Sequence, residues 1–93
     1  MAYCFYSTTN PAKTVLYIGV TNSLSRRLGQ HYENRGNNET FAGRYFCYNL
    51  LYYEQFTDIK AAISREKELK GWTRAKKEAL IDTMNPEREF LLV

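Results

Sequence analysis

The chain has 93 residues, of which 44% are hydrophobic and 25% charged, and a formal net charge of +3. That length suits one domain with a modest core and leaves no room for a second, and the composition excludes a disordered or fibrous chain. The charge admits a polyanionic partner without requiring one, while two cysteines with no C-x-x-C pairing argue against a disulfide framework or zinc site.

Cys4 and Cys47 therefore read as reduced, buried thiols. No apolar run approaches the roughly 18 residues that span a bilayer, and MAYCFYSTTNP lacks a charged n-region followed by an apolar h-region. The expectation is a cytoplasmic protein with no membrane partner.

Residues 3–7 (YCFYS) and 14–20 (TVLYIGV) are rich in aromatic and β-branched types and are separated by TTNPAK with its Asn-Pro turn signal, which predicts an antiparallel hairpin. A first helix follows from about Leu24, capped by Asn22 or Ser23 and ended by a Gly/Asn cluster. Residues 35–48 have no sustained period and read as a loop with aromatic anchors at Phe41, Tyr45 and Phe46. Residues 49–56 (NLLYYEQF) form a third strand. Thr57 or Asp58 then caps the helix IKAAISREKELKG, which stops at Gly71. The last helix runs from about Arg74 to Met84 and ends before Pro86. The order β-β-α-β-α-α predicts an α+β fold, a three-stranded mixed or antiparallel sheet flanked by helices, as one domain over residues 1–93.

Helical geometry then places charged groups. With Ile59 at zero and about 100° per residue, Ala62 lies near −60°, Ile63 near +40° and Leu69 near −80°, so Glu66, near −20°, falls in the middle of the apolar stripe. Glu68 points the other way, toward solvent, as do Lys60 and Lys67. A carboxylate on the inward side needs a cation or metal, because isolated buried charge is strongly disfavoured; an arginine pair would serve for packing alone. In the first helix, Arg27 and His31 share the inward-leaning face with Leu24 and Leu28, whereas Arg26 points outward. Arg27 is placed to stabilise phosphate charge. In the second strand Leu16, Ile18 and Val20 take one face, and Val15, Tyr17 and Gly19 the other. Gly19 removes a side chain beside Tyr17 and would let a substrate backbone approach. One cation, one imidazole and one carboxylate leaning toward a shared surface is what a phosphodiester site requires.

As a set, these residues resemble the GIY-YIG nuclease superfamily, specifically its small stand-alone bacterial members. The first motif stands as Cys4-Phe5-Tyr6, the second is literal as Tyr17-Ile18-Gly19, and Leu24, Arg27 and His31 match the helix that follows. REKELKGW resembles the glutamate helix and Met84-Asn85-Pro86 the closing asparagine motif. Val20 follows the second motif where some relatives carry lysine.

The resemblance implies a metal-dependent DNA endonuclease that hydrolyses phosphodiester bonds in DNA repair or processing. It implies one divalent ion, Mg²⁺ or Mn²⁺, held by Glu66, and Arg27 neutralising developing charge. Tyr6 or Tyr17 would act as base with its proton drawn off by His31, Tyr6 being preferred, and Asn85 would orient the site. Lys70, Arg74, Lys76 and Lys77 cluster around Trp72 as candidate DNA contacts. With so small a surface, a homodimer or a partner protein would supply specificity. The competing reading is a non-catalytic nucleic-acid-binding module that keeps the fold.

Overall fold

A computed structural model describes residues 2–92; the end residues of the expected domain, Met1 and Val93, lie outside the described residues. The elements in chain order are β1 (Tyr3–Thr9), β2 (Leu16–Thr21), α1 (Leu24–Glu33), α2 (Phe41–Arg44), β3 (Asn49–Phe56), α3 (Ile59–Lys70) and α4 (Arg74–Met84). The sheet is wholly antiparallel with β1 in the centre, in the order β2-β1-β3. The α+β architecture expected from the sequence is thus present, and the sheet is not mixed.

The Asn-Pro turn closes the β1–β2 hairpin through Asn10, whose Oδ1 accepts from the Thr14 and Val15 amides at 2.8 and 3.0 Å. The carboxamide stands in for backbone partners that a six-residue turn would otherwise leave unmet. Pairing of Phe5 with Val20 and Ser7 with Ile18 puts these side chains on one face, and pairing of Tyr6 with Gly19 and Thr8 with Tyr17 puts those on the other. On the first face, Phe5, Leu51 and Tyr52 form a buried cluster with Leu69 of α3 and Ile81 of α4, with Trp72 and Leu80 packed around it. Full burial of such side chains is worth roughly 1.5–3 kcal/mol each, so this face holds α3 and α4 on the sheet.

Helix starts follow their capping chemistry. Asp58 accepts from the Lys60 amide and Thr73 from the Lys76 amide, fixing the first turns of α3 and α4. Ser23 occupies the α1 cap without a side-chain bond; its amide instead donates to Thr21 Oγ1 at 3.1 Å.

Two expectations are corrected. The segment read as a loop contains the short helix α2, started by Thr40, whose hydroxyl accepts from the Gly43 amide at 3.0 Å. A Cβ at Gly43 would lie 2.6 Å from the Asn37 carbonyl oxygen and 2.7 Å from that of Asn34, so only glycine allows this backbone-on-backbone packing. Its aromatics are not anchors: Phe41, Tyr45 and Phe46 are 51%, 41% and 46% exposed, and the small side chains of Ala42 and Cys47 are buried instead. In α3, Ile59 and Ile63 are exposed and burial centres on Ala62 and Leu69. Glu66 therefore sits at the rim of the buried stripe, its side chain 21% exposed, rather than in the middle of it.

Both cysteines are free and buried. Among the described residues, no helix is long and apolar enough to cross a membrane.

Candidate active site

The sheet face opposite the main cluster carries Tyr6, and everything near it is arranged around its hydroxyl. Tyr6 is fully buried in central β1, and its Oη lies 2.8 Å from His31 Nε2 on α1. Its ring meets those of Tyr17 and His31 at centroid distances of 6.2 and 5.8 Å, and Tyr17 and His31 meet edge-on at 5.2 Å. Three aromatic motif residues from β1, β2 and α1 thus share one cluster.

Gly19 makes that cluster possible. An added Cβ would stand 2.8 Å from Tyr6 Oη and 3.0 Å from its Cζ. The space over this glycine is filled by the Tyr6 phenol, not held open for a substrate backbone as the sequence suggested. Burial, reinforced by the neighbouring Tyr17, pushes the Tyr6 hydroxyl far above the usual tyrosine range, with a minor contribution from the Glu66 charge. Tyr6 therefore stays a phenol. His31 is displaced in the complementary direction: burial first, then the Arg27 guanidinium, lower its pKa, so the imidazole is neutral at physiological pH.

Beside this cluster lies a cleft of about 180 Å³ lined by Tyr17, Arg27, His31 and Phe41, among others. It is smaller than the roughly 300–1,000 Å³ of a typical small-molecule pocket, and its lining suits a single anionic group. Arg27 brings a half-buried cation to it, and no carboxylate pairs with Arg27 among the described residues.

The remaining candidates divide. Glu66 is within electrostatic reach of Tyr6 and pairs with Lys70 Nζ at 2.9 Å, a lysine whose side chain is 61% exposed. No group of three or more His, Cys, Asp or Glu side chains converges as a metal cage among the described residues. A lone carboxylate at a solvent rim fits a hard divalent ion that keeps several waters and completes its shell with phosphate oxygens. Asn85 stands apart. It is buried at the end of α4, where Nδ2 donates to the Leu51 and Glu89 carbonyls at 3.1 and 2.7 Å and Oδ1 accepts from the Glu89 amide. These bonds tie the residues after α4 to β3 and reach none of the other motif side chains.

The basic cluster expected around Trp72 is also dispersed. Trp72 packs against the core cluster with the Arg65 guanidinium 5.5 Å from its ring centroid. Lys70 is engaged by Glu66; Arg74 pairs with Glu78 and donates to the Thr14 carbonyl at 2.6 Å. Lys76 borders an open apolar groove with Trp72, whereas Lys77 and Arg74 line a separate cleft with Phe41. Phe41 itself was missed as a site residue. Its signal was the Thr40 cap followed by aromatics four residues apart, which places Phe41 and Tyr45 on one side of a helical turn.

A family model described as the GIY-YIG catalytic domain matches residues 2–79. A UPF0213 protein of Bacillus pumilus is 39% identical over 74 residues, covering 80% of this chain and 74% of that protein. One from Natronomonas pharaonis is 39% identical over 70 residues, covering 75% and 80%, and one from Streptococcus pyogenes is 37% identical over 79 residues, covering 84% of each. The solution NMR structure of a UPF0213 protein from Bacillus halodurans superposes with a TM-score of 0.58 at 26% identity, covering 94% of this chain and 89% of that one.

Proposed function

Because the chain belongs to the GIY-YIG family, we propose that it is a metal-dependent DNA endonuclease, hydrolysing phosphodiester bonds in DNA repair or processing with water as nucleophile. The observation that carries this reading is the convergence of Tyr17, Arg27 and His31 on one small cationic cleft, with the Tyr6 phenol buried directly behind them and Glu66 in electrostatic reach of it.

The tyrosines take different roles. Tyr6 has no solvent exposure and a hydroxyl held protonated by burial, which disfavours it as the group that meets the attacking water. Tyr17 is half-buried and lines the cleft, so Tyr17 is the base and Tyr6 the group behind it. As Tyr17 takes a proton from water, its own moves to Tyr6 Oη and the Tyr6 proton to His31 Nε2, 2.8 Å away. The neutral imidazole supplies the acceptor at the end of that path. Arg27 opposes charge developing on the phosphoryl oxygens. Glu66 would hold the divalent ion, Mg²⁺ or Mn²⁺, which supplies Lewis-acid polarisation of the phosphate. Lys70 must yield its contact with Glu66 for that to happen, and its exposure makes the cost small.

The test is incubation with branched, nicked, plain duplex and single-stranded DNA in Mg²⁺ or Mn²⁺, with chelator controls, beside Glu66→Gln and Tyr17→Phe. Cleavage that needs the metal and is lost in both variants is expected. Cleavage that persists in Glu66→Gln would falsify the metal-ligand assignment, and binding without cleavage under either ion would leave a non-catalytic DNA-binding module.

A further inference from the structure

The candidate active site does not account for the aromatic surface that borders it. Phe41 is 51% exposed and Tyr45 41% exposed, yet both project from a backbone that is closely held. Gly36 donates to the Gly43 carbonyl at 2.8 Å and Cys47 to the Ala42 carbonyl at 2.8 Å, in addition to the Thr40 cap. Two bare rings on a fixed turn are pre-organised, so a ligand that covers them need not order the segment first.

The rings are continuous with the cleft. Phe41 stacks on Tyr17 with centroids 6.2 Å apart and planes 26° from parallel, and the Tyr45 ring lies 4.8 Å from Phe41, tilted by 50°. Three clefts meet at Phe41, and each holds a cation. The first contains Arg27 with Tyr17 and His31; the second, about 290 Å³, contains Arg44 with Tyr45; the third, about 240 Å³, contains Arg74 and Lys77. Glu39 borders the second cleft, so the phosphates of a bound strand are better accommodated by the first and third.

An exposed aromatic between cationic clefts is complementary to one nucleotide at a time: the ring takes a base face, and Arg27 of the first cleft and Lys77 of the third take the flanking phosphates. Bases inside a duplex have both faces covered by their neighbours, so such a ring has nothing to stack on there. We propose that Phe41, supported by Tyr45, is a stacking subsite for one unpaired base next to the scissile phosphate, and that the substrate is DNA with a single-stranded segment at the cut. This rests on the nuclease reading for the role of the adjacent cleft, but its binding half is separable from catalysis.

The test is fluorescence anisotropy with a labelled twelve-nucleotide oligo-dT and a blunt duplex of the same length, in EDTA so that no cleavage intervenes. Wild type is expected to bind the single strand more tightly than the duplex. Phe41→Ala should weaken single-strand binding about 5- to 150-fold, the range for loss of one stacked base, with duplex binding unchanged, and Phe41→Trp should restore it. Because Phe41 is half exposed, the alanine variant should keep its melting temperature, which is checked alongside. Single-strand binding within twofold of wild type in Phe41→Ala overturns the subsite. So does an equal loss on duplex, or light scattering that shows the patch is covered by a second copy and freed by the substitution. Stacking without cleavage under any metal would sink the nuclease reading and keep only the base-binding half of this one; efficient cutting of plain duplex, indifferent to Phe41, would overturn this proposal and keep the nuclease reading.

Discussion

At the scale of single residues, Gly19 and His31 make opposite demands on the same phenol. Gly19→Ala forces a methyl to within 2.8 Å of Tyr6 Oη, and the ring is fully buried with nowhere to move. Overpacking of this kind costs roughly 1–3 kcal/mol, so a lower denaturant midpoint is expected together with loss of the Tyr6–His31 hydrogen bond. An unchanged midpoint would mean the cluster is looser than the distances say. His31 is the single histidine of the chain, so one imidazole signal reports on the site. Burial and Arg27 hold its folded pKa below the ordinary 6.5. The unfolded chain thus takes up a proton first as pH falls, and stability is lost from about 6.5 down through the folded value. An NMR titration midpoint below 6.5 is expected, and one above it would remove the reason for treating His31 as a neutral acceptor. Lys70 offers a third check. Removing the ammonium that pairs with Glu66 at 2.9 Å frees the carboxylate. An exposed pair contributes little to stability, so Lys70→Met should tighten metal binding by calorimetry by a small factor without lowering the melting temperature; weaker binding would disconnect Glu66 from the ion.

At the scale of elements, α3 is where the sequence was both most and least informative. Its limits were legible because Asp58 caps it and Gly71 ends it. The direction of its buried side was misread, because Ile59 and Ile63 are apolar yet exposed, and burial follows Ala62 and Leu69 onto the sheet. The rotation is set instead by a charge pair: Arg65 reaches Glu54 on β3 at 2.9 and 3.1 Å, and Glu54 also accepts from the Tyr52 hydroxyl. Arg65 precedes Glu66, so this two-pronged contact holds the metal-ligand candidate at the rim. Glu54→Gln should cost about 1–2 kcal/mol in stability and weaken metal binding without touching Glu66; retained metal affinity at reduced stability would make the pair structural only. Motif tyrosines, Arg27 and His31 were legible because strand alternation and a 3.6-residue period survive folding unchanged. Asn85 and α2 were not: Asn85 depends on a contact with Leu51, 34 positions away in the chain, and α2 on the close packing of Gly43 against the Asn34 and Asn37 carbonyls, which neither period nor propensity encodes.

For the molecule as a whole, the buried acids Tyr6, Tyr52 and Cys47 decide how the fold fails at high pH. Burial is the main cause in all three, pushing the Cys47 thiol up to about 11 and both phenols further above their usual range. In each case the folded state keeps a proton that the unfolded chain releases at ordinary values near 9 or 10. The unfolded state therefore binds fewer protons across that interval, and stability falls as pH rises. Loss should begin near pH 9 with Cys47, on the order of 2 kcal/mol by the top of its range, and steepen above 10 as the tyrosines join. At the acid end only His31 among these groups pulls the other way, so the plateau of stability should lie between about pH 7 and 9. Chemical denaturation at intervals from pH 5 to 11 measures this directly, and Cys47→Ala separates the contributions: it should reduce the loss between 9 and 10, where the Cys4 thiol, likewise pushed up by burial, still contributes, while leaving the steeper limb in place. A curve that stays flat to pH 11 in wild type would require these side chains to be wetter than their burial at 0–6% exposure allows. The same burial keeps Tyr6 protonated behind Tyr17, so a flat curve would also return Tyr6 to consideration as the base.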